Sequence, residues 1–257
     1  MWKVLAKSVQ GIGHRRTNLP CQDACRTSVI DACDRSFLVL AASDGAGSAT
    51  HSDIGSATSC RVILEVIVED LNRLIEDKPV TREHAIAWYE RVRQSLDREA
   101  ATLSVPVREL ACTLLVAVIG ESNSILCQIG DGAIVVRDGS EWRPVFWPQS
   151  GEYANTTNFI TSPKFDSDLM FESREGRIDE IALFTDGLQT VALNYALQQA
   201  HQPFFNPLFD SLRKHSDPAV LAGPMQAFLE SPSLAERTDD DLTLVLASRI
   251  AEHDSVL

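Results

Sequence analysis

The sequence lacks the features that would place it in a membrane or in an oxidising compartment. No run of eighteen apolar residues occurs, and the first residues, MWKVLAKSVQ, have no apolar stretch of the length that a secretory leader needs. The six cysteines include no CxxC pair, and Cys21, Cys25 and Cys33 have no histidine at zinc-finger distance. We therefore expect a cytoplasmic protein with free, partly buried thiols and no zinc site.

Basic residues are scarce relative to acidic ones. The chain has 23 lysines and arginines against 36 aspartates and glutamates, which gives a net charge of −13. Because this field repels nucleic acids and anionic lipids, we expect neither as a partner. The acidic residues either keep the protein soluble or include cation ligands, and their positions decide between these alternatives.

The chain does contain enough apolar material for one large core, at 44% of 257 residues. Strand-like runs occur in two blocks around a helical pair. The pattern predicts strands at 3–9, 25–31 and 37–42, helices at 52–77 and 81–103 separated at Pro79, strands at 112–119, 124–129 and 133–137, a polar insertion at 148–177, a strand at 181–185, helical material to about 230 and a strand at 242–248. No repeat or linker divides the chain, so residues 1–257 are predicted to form one α+β domain with antiparallel sheets covered by helices.

Four aspartates share one local setting beside a strongly apolar strand. Asp44 follows FLVLAAS, Asp131 follows SILCQIG, Asp186 follows IALFT, and Asp240 lies just before LTLVLAS. The first three are each followed by glycine, and a single Asp-Gly pair indicates no more than a turn. If the four strand ends converge, the carboxylates repel one another by about 4 kcal/mol per pair at 4 Å. Such a cluster needs cations, and oxygen ligands favour Mg²⁺, Mn²⁺ or Ca²⁺ over Zn²⁺.

Six motifs follow one another along the chain, namely GIGHRRTNLPCQDA at 11–24, SDGAGSA at 43–49, ACTLLVAVI at 111–119, IGDG at 129–132, FTDG at 184–187 and DDLTLVL at 240–246. Their order resembles that in type 2C metal-dependent serine/threonine protein phosphatases, and most closely in the compact bacterial branch. The resemblance implies two packed antiparallel sheets in a central β-sandwich, with helices on both faces in four α-β-β-α layers. It also implies hydrolysis of phosphoserine and phosphothreonine on proteins by a metal-activated water.

The resemblance assigns the metal ligands by motif position. Asp44 would bridge two Mn²⁺ or Mg²⁺ ions, and the Gly45 carbonyl would bind one of them. Asp186 and Asp240 would complete the other ion's ligands.

Two further aspartates have roles by the same resemblance. Asp131 matches the residue that holds a third, weaker cation in some members of the family. Asp23 matches the acidic residue of the N-terminal motif, which acts on a metal directly or through water. No phosphoenzyme is needed in this chemistry, so no catalytic cysteine or serine is expected.

The chain departs from the family pattern at three places. Gln22 stands where many relatives have a glutamate, and Ala46 stands where some have a histidine after the Asp-Gly pair. The family arginine that binds phosphate is replaced by a cluster farther from the N-terminal acidic residue, made of His14, Arg15 and Arg16. We hypothesise that one of these three contacts the substrate phosphate, although a solvated basic turn would give the same pattern.

Three alternative functions remain open at this point. The fold could serve as a non-catalytic scaffold that binds phosphoproteins, it could hydrolyse small phosphoesters, or it could bind calcium structurally. Retention of Asp44, Asp186 and Asp240 argues against the scaffold, and EF-hand spacing is absent. We expect a monomer that acts on phosphoprotein substrates of a serine/threonine kinase, with a polar flap at 149–175 that sets substrate preference.

Overall fold

The fold is taken from a computed structural model that describes residues 1–32, 35–74, 80–149 and 157–250. In chain order the strands are β1 Trp2–Val9, β2 Ala24–Ala32, β3 Arg35–Ser43, β4 Leu114–Ile119, β5 Asn123–Ile129, β6 Ala133–Asp138, β7 Glu141–Pro144, β8 Met170–Glu175, β9 Glu180–Phe184, β10 Leu193–Asn194, β11 Gln199–Ala200 and β12 Leu242–Arg249. The helices are α1 Ile12–Thr17, α2 Ser52–Leu74, α3 Arg82–Leu103, α4 Phe165–Asp168, α5 Gln189–Ala192, α6 Gln202–Lys214, α7 Ala222–Leu229 and α8 Pro232–Ala235.

The described strands form two five-stranded antiparallel sheets and one small hairpin. The first sheet has the order β1-β12-β9-β6-β7, the second has the order β2-β3-β4-β5-β8, and β10 pairs with β11. Because β1 pairs with β12, the first and last strands of the fold are direct neighbours.

The two sheets pack face to face, and each carries helices on its outer face. In β4, Leu114 and Val116 belong to the core under α2 and α3, whereas Leu115 belongs to the core between the sheets. In β12, Leu244 lies in the core under α6 and α7, and its neighbour Val245 faces the other sheet. Alternate residues of a strand point to opposite faces. The architecture is therefore the four-layer α-β-β-α sandwich that the sequence predicted.

Aromatic side chains anchor the outer helices to the sheets. On α3, Trp88 donates to Asp70 of α2 across 2.7 Å, and Tyr89 donates to the Leu114 carbonyl of β4 across 3.1 Å. On the opposite side, the ring of Trp142 in β7 lies 4.2 Å from the ring of Phe209 in α6. Burial of each such ring stabilises the fold by about 2 kcal/mol or more.

Most predicted elements agree with the structure to within two or three residues at each end, and the main difference lies after β9. The sequence predicted helical material there, but residues 193–200 form the hairpin β10–β11. Pro207 lies inside α6. Within the insertion at 148–177, α4 and β8 are ordered elements. Pro79 and the predicted end of α2 lie outside the described residues, as do residues 150–156 near the start of the insertion.

Two further expectations concern membranes and thiols. None of the helices in the described ranges is both long and apolar enough to cross a bilayer. The five cysteines in those ranges, Cys21, Cys25, Cys60, Cys112 and Cys127, are free thiols. Cys33 lies outside the described residues.

Candidate metal centre

The ends of several strands bring carboxylates together at one edge of the sandwich. One side-chain oxygen from each of Asp44, Asp131 and Asp186 lies within 4.8 Å of the others. These residues follow β3, β5 and β9, so strands from both sheets contribute to the cluster. Asp240, just before β12, is close enough for its charge to act on both Asp44 and Asp186. Three of the four strand-end aspartates therefore converge, and Asp240 lies near two of them.

Asp44 is fixed by backbone and hydroxyl contacts to the segment before β4. Its N–H donates to the Thr113 hydroxyl across 2.9 Å, and its carbonyl accepts from the Thr113 N–H across 2.8 Å. Gly45 forms a β-bridge with Cys112, and its N–H donates to the Gln22 carbonyl across 3.1 Å. A Cβ atom on Gly45 would lie 2.7 Å from that carbonyl oxygen, so only glycine allows this approach.

A second hydroxyl group connects Asp23 to the strands that carry Asp186 and Asp240. Thr185, the residue before Asp186, donates its hydroxyl proton to Oδ2 of Asp23 across 2.7 Å. The same hydroxyl accepts from the Thr243 N–H across 3.0 Å. This pair of bonds joins β9, β12 and the N-terminal motif behind the carboxylate cluster.

Asp131 has contacts from the flap and from α5. The Thr157 hydroxyl donates to Oδ2 of Asp131 across 2.5 Å, and the Gln189 side-chain amide donates to its backbone carbonyl. Tyr195 in turn donates to the amide oxygen of Gln189, and the Trp147 ring packs edge-on against the Tyr195 ring at 5.1 Å. Two aromatic residues therefore form the rim of the site on the Asp131 side.

Burial and mutual repulsion raise the pKa of every carboxylate in the cluster. Burial raises the pKa of Asp23 to about 8, and burial followed by the charges of Asp131 and Asp240 raises the pKa of Asp186 to about 7. The pKa of Asp44 is raised well above its usual range, first by burial and then by the neighbouring carboxylates. Burial also raises the pKa values of Asp131 and Asp240. A divalent cation among them would reverse these shifts.

Unpartnered oxygen atoms show that the donor set fits such a cation. Oδ1 of Asp23, Oδ1 of Asp131 and Oε1 of Gln22 are buried and accept no hydrogen bond from the described residues. Buried polar atoms normally have partners, and carboxylate and amide oxygens are the ligands that Mg²⁺ and Mn²⁺ prefer. The residues present therefore fit divalent cations.

The cation cluster of the N-terminal motif lies on α1, and the structure distinguishes its members. Nδ1 of His14 lies 2.9 Å from Oδ2 of Asp241, and the Arg15 guanidinium lies 3.0 Å from Glu230. Arg16 is exposed, and its side chain has no ion pair with any described residue.

Asp241 is the main site residue that sequence analysis missed. It is buried, and its carboxylate accepts the N–H of Gly11 across 2.6 Å and the N–H of Gln22 across 2.5 Å. The signal for it in the sequence was a third consecutive aspartate in DDDL, beside a proposed ligand. Thr113 and Thr185 were also missed, although each is a polar residue next to an apolar strand inside a quoted motif.

Comparison with known proteins identifies the family. The protein phosphatase 2C family profile matches residues 10–230. Serine/threonine-protein phosphatase 3 of Escherichia coli (strain K12) is 34% identical over 256 residues, which is 96% of this chain and 98% of that protein.

Among solved structures, serine/threonine phosphatase Stp1 from Staphylococcus aureus has a TM-score of 0.58 at 14% identity, covering 98% of this chain and 96% of that one. The catalytic domain of serine/threonine protein phosphatase PstP, in complex with two manganese ions, has a TM-score of 0.54 at 16% identity, covering 97% and 99%. At these identities the two structures support the fold alone.

The chain belongs to the protein phosphatase 2C family. It is a metal-dependent serine/threonine protein phosphatase. The family, the fold class and the enzyme class predicted from the sequence are thereby confirmed.

Proposed function

We propose that Asp44, Asp186 and Asp240 hold the two catalytic cations, with the Gly45 carbonyl as a further ligand and Asp131 on a third, weaker ion. The main support is that one carboxylate oxygen from each of Asp44, Asp131 and Asp186 lies within 4.8 Å of the others. Asp240 lies near enough for its charge to act on Asp44 and Asp186. The cations supply an activated water and offset charge on the phosphoryl oxygens.

Other residues of the chain orient these metal ligands. Thr113 fixes the backbone of Asp44, which aims the carboxylate that both cations would share. Asp23 lies behind the ligands with one buried oxygen free, and Gln22 offers a second. We propose that these two residues bind the water molecules around the cations, because amide and carboxylate oxygens accept hydrogen bonds from such waters.

Among His14, Arg15 and Arg16, we propose Arg16 as the residue that contacts the substrate phosphate. His14 and Arg15 already have acidic partners, whereas Arg16 has none among the described residues. A guanidinium group binds phosphate in a bidentate way. We expect Arg16→Ala to raise KM for a phosphothreonine peptide by about tenfold, and Arg15→Ala to change it less. Equal effects of the two substitutions would contradict the assignment.

The proposed physiological setting is a single-domain, monomeric enzyme in the cytoplasm that acts on phosphoproteins and binds neither nucleic acid nor membrane. The net charge of −13 and the free thiols support this proposal.

The deciding experiment measures phosphate release from a phosphothreonine peptide by the purified protein in Mn²⁺, Mg²⁺, Ca²⁺ and EDTA. We expect turnover in Mn²⁺ or Mg²⁺, none in EDTA, and a loss on the order of a thousandfold in Asp44→Asn. The matched control is Asp53→Asn, which removes a carboxylate in the first turn of α2 outside the cluster. No turnover in any metal by a folded protein would contradict the proposed ligands.

A further inference from the structure

A groove of about 570 Å³ lies among the helices that cover the first sheet. We call it the hairpin groove, because the hairpin β10–β11, α5 and the first turn of α6 form one side and α7 and α8 form the other. Apolar side chains of Val191, Leu193, Phe204 and Phe228 line it. Phe204 and Phe228 are partly exposed, with ring centroids 6.1 Å apart.

Tyr195 and α5 connect the hairpin groove to the proposed active site. The groove wall includes Val191 in α5, the helix that follows the turn beginning at Asp186. Tyr195 also lines the groove, and its hydroxyl is two hydrogen bonds from the backbone of Asp131, through Gln189. Tyr195 therefore belongs both to the groove wall and to the hydrogen-bond chain that reaches Asp131.

The charge of the groove differs from that of the rest of the protein. The chain has 36 acidic residues, yet none of the described residues that line the groove is an aspartate or glutamate. Arg237 lines it, is exposed, and forms no ion pair or side-chain hydrogen bond with the described residues. An unpaired guanidinium beside an apolar floor favours a ligand with both an apolar and an acidic group.

We propose that the hairpin groove binds the phosphoprotein substrate beside its phosphorylated residue, with an apolar side chain on the floor and an acidic side chain at Arg237. An extended peptide advances about 3.4 Å per residue, so side chains two to four positions from the phosphothreonine lie about 7–14 Å from it, and we assign these positions to the groove. This inference rests on the proposed function and adds the substrate sequence that the enzyme selects.

The test compares phosphothreonine peptides that carry Leu and Glu, Leu and Lys, or only Ala and Gly at positions two to four on either side. The kcat/KM for each peptide is measured in Mn²⁺. The reference substrate is p-nitrophenyl phosphate, which is too small to reach the groove. We expect the Leu and Glu peptide to be the best substrate. In Arg237→Glu its kcat/KM, divided by that for p-nitrophenyl phosphate, should fall about tenfold, mainly through KM. The Leu and Lys peptide should improve in the same variant.

The matched control is Lys214→Glu, which changes the net charge equally at the exposed C-terminal end of α6, roughly 15 Å along that helix from the groove. In Lys214→Glu, the kcat/KM for the Leu and Glu peptide, divided by that for p-nitrophenyl phosphate, should stay at the wild-type value. Phe204→Ala tests the apolar floor and should weaken the Leu peptides but not the Ala and Gly peptide.

Three outcomes would overturn the inference. They are equal turnover of all peptides by the wild type, equal loss for peptide and p-nitrophenyl phosphate in Arg237→Glu, and the same ratio change in Lys214→Glu. Failure of the wild type to hydrolyse any substrate would instead contradict the proposed function. In that case fluorescence anisotropy of the labelled peptides still tests whether the hairpin groove binds them. Equal affinity of the wild type and Arg237→Glu for the Leu and Glu peptide would refute binding there.

Discussion

Threonine hydroxyl groups lie directly behind two carboxylates of the site. Thr113 accepts the N–H of Asp44, and Thr185 donates to Asp23 while accepting the N–H of Thr243. Both threonines are fully buried. Second-layer partners of this kind fix the orientation of metal ligands, and their loss usually weakens metal affinity by about 10- to 100-fold.

Thr185→Val keeps the shape of the side chain and removes its hydroxyl. We expect Mn²⁺ affinity to fall by about tenfold or more, because Asp23 loses a donor and the Thr243 N–H loses its acceptor. Isothermal titration of the metal-free protein with Mn²⁺ measures the change. Thr102→Val removes an exposed hydroxyl from α3 and serves as the control. An unchanged affinity in Thr185→Val would show that this bond does not orient the ligands.

Asp241 joins the N-terminal motif to the start of β12. Asp241→Ala leaves the N–H groups of Gly11 and Gln22 without an acceptor, and we expect it to reduce the free energy of unfolding by about 2–4 kcal/mol. Urea unfolding measures the loss. Asp239→Ala changes the neighbouring exposed aspartate and should cost under about 0.5 kcal/mol. Similar losses in both variants would argue against the role of the buried carboxylate.

At the scale of elements, the sequence predicts the strands better than the segment after β9. Strands such as β4 are buried on both faces, so they appear as continuous apolar runs that few other structures explain. The hairpin β10–β11 was not predictable, because residues 193–200 (LNYALQQA) consist largely of helix-forming types. The turn leaves Gln198 at a φ of +50°, a conformation that glutamine does not favour. The pairing of Leu193 with Ala200 stabilises this turn.

The same contrast applies to the candidate site. Asp44 and Asp186 were predicted from the sequence because each directly follows an apolar strand, and this pattern is visible in consecutive residues. Thr157 and Gln189 were not, since their contacts with Asp131 span 26 and 58 residues and no local pattern marks them. Long-range hydrogen bonds of this kind depend on how the elements pack.

Close packing between β9 and β12 gives an element-scale prediction. A Cβ atom on Gly187 would lie 2.2 Å from the carbonyl oxygen of Asp241, so Gly187→Ala must displace the segment that carries Asp240. We expect a loss of about 1–3 kcal/mol in the free energy of unfolding, and weaker Mn²⁺ binding. Thermal unfolding and metal titration measure both.

Gly223→Ala is the matched control for that substitution. Apart from its chain neighbours, a Cβ atom there meets nothing within 4 Å. The helix propensity that alanine adds in α7 is offset by Pro224, whose ring disfavours the helical conformation of a preceding residue that has a Cβ atom. A change of under about 0.5 kcal/mol in Gly223→Ala with destabilisation in Gly187→Ala is the expected result. A harmless Gly187→Ala would mean that the contact between β9 and β12 relaxes freely.

At the scale of the whole molecule, the buried carboxylates make stability depend on pH when metal is absent. Raised pKa values mean that the folded state binds more protons than the unfolded state, so the free energy of unfolding falls as pH rises. With the pKa of Asp186 at about 7 and that of Asp23 at about 8, the fall starts near pH 4 and is complete above about pH 8. Each group contributes up to about 1.4 kcal/mol per pH unit in this interval.

We therefore expect the melting temperature in EDTA to decrease between pH 5 and pH 8, and the increase caused by Mn²⁺ to be larger at pH 8 than at pH 5.5. Differential scanning fluorimetry at fixed ionic strength measures both. Asp23→Asn should flatten the dependence, whereas Asp53→Asn should not. A melting temperature in EDTA that rises over the same interval would contradict the assigned shifts.

The pairing of β1 with β12 has a consequence for how the enzyme is made in a cell. The last strand lies between β1 and β9, and Asp240 precedes it, so a ribosome must release residues up to 249 before the first sheet can close. During synthesis the edges of β1 and β9 remain unpaired until β12 is available. A truncated translation product that stops before β12 would thus lack phosphatase activity, and newly made enzyme would begin to remove phosphate only after its synthesis has passed that strand.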